Sequence, residues 1–272
     1  MMTQTRSIFV TGAAHGIGRA TALHFHQQGW FVGVYDREPT GLQSLVEELG
    51  DRAISGSFDV SDRSAFSQSM AEFQQATNGR LDMMCNNAGI SAGGYLDEIP
   101  PEELRKVVDV NFMGVINGML EALPLLRQTA GSLCLNVSSG SAVFGVAGMA
   151  VYSATKAAVS TLTEAMSVEW RRYGIRVADV LPGIVRTNIW QDSKRYRNHK
   201  VASNHSHIVA TGRGFNDNEA ILSAQEMAEV IWRAYDSDKL HHFYPDYLRE
   251  RAVDAVMNPE VMRDTQIKRQ SK

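Results

Sequence analysis

Cysteine is scarce in this chain: 272 residues contain only Cys85 and Cys134, each inside an apolar run. Two thiols so far apart supply neither a disulfide framework nor a cysteine-rich metal site, and no clustered histidine partners suggest a metal. They fit reduced, buried thiols and predict a cytoplasmic protein. Positive charge is not in excess either. Lysine and arginine number 27 against 30 acids, a net charge of −3, which excludes a general nucleic-acid binder with its basic footprint. No apolar run approaches the ~20 residues of a membrane span. The opening MMTQTRSIFVTG enters a strand-like run without a signal-peptide region, so no membrane partner is expected. Internal repeats and low-complexity linkers are absent.

What is present is alternation. Residues 7–11, 30–36, 53–60, 81–86, 132–138 and 175–181 read as buried strands. Helical patterns lie between them at 17–28, 40–49, 62–77, 101–128 and 151–173, with Pro124 expected to loosen the end of the fourth. Strand alternating with helix predicts an α/β fold: a doubly wound parallel sheet of Rossmann type with helices on both faces. Residues 188–217 lack periodicity, and a long insertion of that kind is usually a functional lid. A helix at 224–236, a last strand at 241–245 and a polar tail follow. The reading is one domain, 1–272, with 188–217 as a substrate lid.

Three local patterns carry chemistry. The first strand runs into TGAAHGIG, Thr11 to Gly18, whose glycines allow a tight turn and close approach of a pyrophosphate to the next helix. The second strand ends on Asp36, placed to accept hydrogen bonds from ribose hydroxyls. The same carboxylate repels a 2′-phosphate: about two charges at about 5 Å and an effective dielectric near 40 cost ~3 kcal/mol. That favours NAD over NADP about a hundredfold, although His15 and Arg37 offer positive charge nearby. The third pattern, VYSATKAAV, sets Tyr152 and Lys156 four residues apart, on one helical face.

With these motifs in one chain, the sequence resembles the short-chain dehydrogenase/reductase family in its compact branch, over roughly residues 5–190 by a Rossmann reading. The resemblance implies cofactor contacts from Gly12, Gly16, Ile17 and Gly18 in the loop. It implies an adenine contact from Asp59 and Val60, and cofactor support from NNAG, with Asn87, Ala88 and Gly89. PGIVRT matches the segment that holds the nicotinamide amide, through Val185 and Thr187. VNF places Asn111 where the family has its catalytic asparagine, and in NVSSGS the interval before the tyrosine selects Ser139. The ending HHFYPDYLRERAV lacks the glycine-rich last strand that helps build the family's tetramers. A homo-oligomer, dimer or tetramer, is then expected to pair through helices 101–128 and 151–173.

The chemistry so implied is hydride transfer between NAD and a small-molecule secondary alcohol or ketone. Tyr152 is the general acid/base. Its hydroxyl has an unperturbed pKa of about 10. One ammonium at about 5 Å and an effective dielectric near 20 supplies ~3 kcal/mol toward the phenolate, a role that falls to Lys156. Ser139 holds the substrate oxygen, and Asn111 holds a water linking Lys156 to solvent. The apolar SAVFGVAGMA, with Phe144 and Met149, is expected to line the substrate pocket, and Trp190 to close over it. The lid is basic: Lys194, Arg195, Arg197, Lys200 and Arg213 outnumber Asp192, with His199, His205 and His207 in the same stretch. That leaves open an anionic substrate beside the more frequent solvated basic loop. Two rival readings are an NADPH-preferring carbonyl reductase and a dinucleotide-binding sensor without catalysis.

Overall fold

The computed structural model describes residues 5–204 and 221–270. Its frame is a seven-stranded parallel sheet. The strands are β1 (Ser7–Thr11), β2 (Phe31–Asp36), β3 (Ala53–Ser57), β4 (Met83–Asn86), β6 (Leu133–Val137), β7 (Arg176–Pro182) and β10 (His241–Tyr244). They lie in the order β10-β7-β6-β4-β1-β2-β3, so the winding reverses between β1 and β4. Period-two alternation decides which face each side chain serves. On β1, Ile8 and Val10 join one core with Val32, Leu45 and Met227, while Phe9 joins the other with Phe66, Phe73 and Met84. Phe9 stacks on Tyr35 with centroids 3.9 Å apart. Burying each such ring contributes about 2–3 kcal/mol before chain entropy is charged against it.

Helices cover both faces: α1 (Gly16–Gln27), α2 (Pro39–Leu49), α3 (Arg63–Ala76), α4 (Pro101–Val108), α5 (Gly114–Gln128), α6 (Ala150–Glu169) and α8 (Ala224–Tyr235). Their starts follow capping chemistry. Glu38 caps α2, Asp62 caps α3 by accepting from the Ser64 and Ala65 N–H groups, and Ser223 with Glu226 forms a capping box on α8. On one face α1 meets α8 edge-on through Phe25 and Trp232, centroids 5.0 Å apart.

The expected helix 101–128 is interrupted. Asp109–Met113 form a π-helical turn between α4 and α5, while α5 runs through Pro124 to Gln128. The side chain of Asn111 in that turn is tied to Ile90, which gives the extra residue its direction. Strand β3 stops at Ser57, short of the expected 60, because Asp59 accepts from Ser61 N–H and turns the chain. The polar tail is a pair of helices, α9 (Tyr247–Met257) and α10 (Pro259–Gln270). The described part of 188–217 is not aperiodic: α7 (Ile189–Asp192) leads into an antiparallel hairpin of β8 (Lys194–Arg197) and β9 (Lys200–Asn204), and β8 pairs with the short β5 (Ala92–Gly93).

Candidate active site

A cleft of about 730 Å³ opens at the carboxyl ends of the strands, where the winding reverses. Backbone packing builds its floor. Gly12 and Gly16 have φ of +67° and +54°, and a Cβ on either would stand 2.8 Å from Ala88 Cα or Thr187 Cγ2 respectively. A Cβ on Gly18 would fall on the Gly12 carbonyl oxygen. Gly18 is not on the cleft wall; it is the packing glycine that lets α1 approach the loop. Asn87 braces the same loop, its Nδ2 donating to the carbonyls of Thr11 at 2.9 Å and Gly12 at 3.1 Å. Gly12, Gly16, Ile17, Asn87, Ala88 and Gly89 all border the cavity. This cradle leads to the positive N-terminus of α1 and fits a pyrophosphate.

One end of the cleft is acidic. Asp36 accepts from Ala14 N–H at 3.0 Å through Oδ2 and from Glu38 N–H at 3.1 Å through Oδ1. Glu38, which the sequence reading passed over, also lines the cavity. Its carboxylate accepts from Gly41 N–H at 2.6 Å and Thr40 N–H at 3.0 Å, bonds that hold it below the usual carboxylate range. His15 Nε2 lies 3.4 Å from Glu38 Oε2, so the positive charge His15 was expected to offer a phosphate faces an acid. The signal for Glu38 is local: an acid before Pro-Thr-Gly is a helix cap. Asp59 borders the same end with Oδ1 accepting from Ser61, and Val60 packs against Gly114 on α5.

At the other end Ser139, Tyr152 and Lys156 share the wall. Ser139 is near enough to Tyr152 for its hydroxyl to act on the phenol. Ser139 Oγ also accepts from Ser141 N–H at 3.1 Å. Its neighbour Ser138 serves the fold, donating to the Lys156 carbonyl at 2.8 Å. Lys156 is 4% exposed, and its Nζ donates to the Val137 carbonyl at 2.8 Å. Burial pushes this ammonium down to about 8. Burial raises the Tyr152 phenol, and the Ser139 hydroxyl offsets this only in part. Lys156 Nζ stands 5.8 Å from the Tyr152 ring centroid.

Asn111 lies behind the wall, fully buried, and not on the cavity surface. Its Oδ1 accepts from Ile90 N–H at 2.8 Å, and its Nδ2 donates to the Ile90 carbonyl at 2.9 Å. The side chain therefore fixes Ile90, the residue that follows NNAG. Asn111 Oδ1 and Lys156 Nζ still converge: both lie within 3.4 Å of where a Gly89 Cβ would be. Val185 and Thr187 reach the wall because residues 184–186 bond Leu222, with Arg186 N–H donating to its carbonyl at 2.9 Å.

Phe144 and Met149 line the cavity beyond Tyr152. Tyr247, Leu248, Arg251 and Gln266 join them from α9 and α10, a contribution no sequence pattern marked. Arg251 stacks over Phe144 at 5.1 Å. Gln266 grips the loop before α6, donating to the Gly145 carbonyl at 2.6 Å and accepting from Ala147 N–H at 2.8 Å. The Trp190 side chain, His205, His207 and Arg213 lie outside the described residues. Of the other basic lid residues, Lys194 borders the cavity, while Arg195, Arg197 and Lys200 are exposed away from it.

Comparison with known proteins agrees with this geometry. The short chain dehydrogenase family matches residues 6–198. An uncharacterized oxidoreductase of Bacillus subtilis is 31% identical over 191 residues, 68% of this chain and 66% of its own length. The meso-2,3-butanediol dehydrogenase of Serratia marcescens is 33% identical over 190 residues, 70% of this chain and 75% of that one. A short-chain dehydrogenase/reductase from Burkholderia phymatum, solved with NAD, superposes with a TM-score of 0.83 at 23% identity, covering 96% of this chain and 97% of that one. Other structures of this fold hold NADP-type nucleotides. The chain belongs to the short-chain dehydrogenase/reductase family, oxidoreductases that act on CH–OH and carbonyl groups with a nicotinamide nucleotide.

Proposed function

We propose that this protein transfers a hydride between NAD(H) and a secondary alcohol or ketone, with Tyr152 as general acid/base. The observation that carries the reading is the gathering of Ser139, Tyr152 and Lys156 on the wall of a cleft that begins at the glycine cradle. Gly12, Gly16 and Ile17 would hold the pyrophosphate, Asp36 the adenosine ribose, and Asp59 and Val60 the adenine side. Ala88, Gly89, Val185 and Thr187 would flank the nicotinamide half. The dinucleotide supplies the hydride acceptor or donor when bound.

The rest is done by side chains. Ser139 Oγ holds the substrate oxygen beside the Tyr152 hydroxyl, which gives or takes the proton. Lys156 favours the phenolate by its charge, an effect that needs Nζ drawn off Val137 toward the cleft. Asn111 positions the Ile90 segment and, through Thr155 at 3.2 Å, the helix that carries Tyr152. Phe144 and Met149 favour an apolar substrate, bounded by Ile189, Asp192 and Lys194 from the described part of the lid. Asp36 and Glu38 together favour NAD, since a 2′-phosphate would meet two carboxylates there. Exposed Met113, Leu120 and Val168 on the 109–128 and 150–169 segments support pairing into a homo-oligomer.

The test follows absorbance at 340 nm with NAD and NADP across apolar and acidic secondary alcohols, with Tyr152→Phe as the blank. Turnover with NAD that the variant loses about a thousandfold, with NADH binding kept, is expected. Turnover surviving in Tyr152→Phe would remove Tyr152 from its role.

A further inference from the structure

Behind α6, on the side away from the cleft, lies a line of polar side chains that the chemistry above leaves unused. Asp179 on β7 is fully buried. Its Oδ1 is 2.7 Å from His241 Nδ1 on β10, its register partner. Its Oδ2 accepts from Ser160 Oγ at 2.6 Å. Ser160 Oγ lies 2.9 Å from Ser138 Oγ, which donates to the Lys156 carbonyl at 2.8 Å. On the outer side His241 Nε2 lies 3.3 Å from Glu164 Oε1, which is half exposed. Ser138 gives its one proton to Lys156, and Ser160 shares its one proton between Asp179 Oδ2 and Ser138 Oγ, so the line is continuous from the surface to the backbone of Lys156.

Its inner end explains its value. Val137 and Ser138 are consecutive, and each holds one end of the same lysine: Val137 through its carbonyl on Nζ, Ser138 through its hydroxyl on the main-chain carbonyl. Where Ser138 sits therefore sets where Lys156 Nζ is delivered. Ser138 is itself tied to the sheet through Ser160 and Asp179. A carboxylate inside a central strand is costly unless its oxygens are bonded, and both oxygens of Asp179 are.

We propose that Ser160 and Asp179 are positioning residues for Lys156, anchoring Ser138 to the sheet so that the ammonium is delivered at the nicotinamide end of the cleft. The proposal rests on the reading that Lys156 works in a dinucleotide site. The charged and titratable groups facing the line are Asp179 from β7, Glu164 from α6, and His241, His242 and Lys239 from the last strand and its approach. His241 is raised above its ordinary range, chiefly by its hydrogen bond to Asp179. The outer link thus strengthens as His241 takes a proton.

The experiment is NADH binding by fluorescence from pH 7 to pH 10, with a melting curve at each pH, for the parent protein, Ser160→Ala, Ser160→Thr and Asp179→Asn. In the parent, affinity falls as pH rises above about 8, where Lys156 loses its charge. In Ser160→Ala and Asp179→Asn that fall moves upward by about half a pH unit or more, because a loosened lysine is better hydrated. Affinity at pH 7 drops about threefold or more. Ser160→Thr, which returns the hydroxyl, restores the parent profile. Alanine suits a helix, so Ser160→Ala keeps the test open if Asp179→Asn does not fold. Variants that melt earlier yet keep the parent's pH profile and affinity would overturn the proposal and leave the line a structural tie. A parent that binds no NADH at any pH would instead overturn the reading of the cleft beneath it.

Discussion

Replacing Lys156 by methionine should make the cofactor-free protein more stable while removing its function. The ammonium is 4% exposed, and Val137 gives it one carbonyl at 2.8 Å for three donors. Burial carries it from its ordinary 10.5 to about 8. At ~1.4 kcal/mol per unit this comes to about 3 kcal/mol of stability withheld from the folded chain while the lysine is charged. Losing the bond to Val137 returns about 1 kcal/mol. Lys156→Met, similar in length and free of charge, should therefore gain about 2 kcal/mol at pH 7, a rise in Tm of about 4–8 °C.

The sign can be checked against pH. Between about 8 and 10.5 the unfolded chain keeps the Lys156 proton and the folded chain does not, so the parent gains stability as pH rises through that window. The variant has no such proton, and its advantage should shrink from pH 8 upward, vanish near about pH 9.5 and reverse by about 1 kcal/mol near pH 10.5. Tyrosines and cysteines titrating in the same range cancel in the difference between the two proteins. Urea unfolding of both at pH 7, 8.5 and 10, without cofactor, measures it. A variant less stable at pH 7, or a difference constant across the three pH values, would show that the lysine is not strained by burial.

Two further outcomes follow from the ends of the cleft. Asp36→Ala together with Glu38→Gln should narrow the preference for NAD over NADP by about a hundredfold or more, and Glu38→Gln alone by a smaller factor, read as kcat/KM with each cofactor. Unchanged selectivity in the double variant would take both carboxylates out of cofactor choice. Gln266→Ala should release the 145–147 loop, raising KM for the alcohol about three- to tenfold while NADH affinity stays put; an unchanged KM would mean that α10 only covers the loop.

The parts of this site that were readable are those whose chemistry is local. A glycine loop between a strand and a helix, an acid at the end of the next strand, and Tyr152 and Lys156 one turn apart are all decided within a few residues. Each therefore leaves a mark in a short stretch of sequence. Asp36 and the loop glycines other than Gly18 do reach the cleft. The period-two strands put the sheet on the page for the same reason. What short stretches do not show are partners distant in sequence. Ile90, 21 residues before Asn111, bonds both ends of its amide. The 246–270 tail is polar enough to pass for a loose end, because its ordering contacts are few. One is Gln266, reaching back 121 residues to Gly145.

Tyr152 shows the limit of pairwise reasoning most clearly. A lysine one turn away is the right charge to favour a phenolate, and in water that argument would be complete. In the fold, burial acts on both groups at once, raising the tyrosine and lowering the lysine, and the lysine spends its proton on Val137. A cavity of this polarity becomes an acid/base site when a partner gives Lys156 a reason to leave Val137 and stay charged. Ribose hydroxyls beside Gly89, where Lys156 Nζ and Asn111 Oδ1 converge, would do that. Binding of the nucleotide and activation of the tyrosine would then be one event.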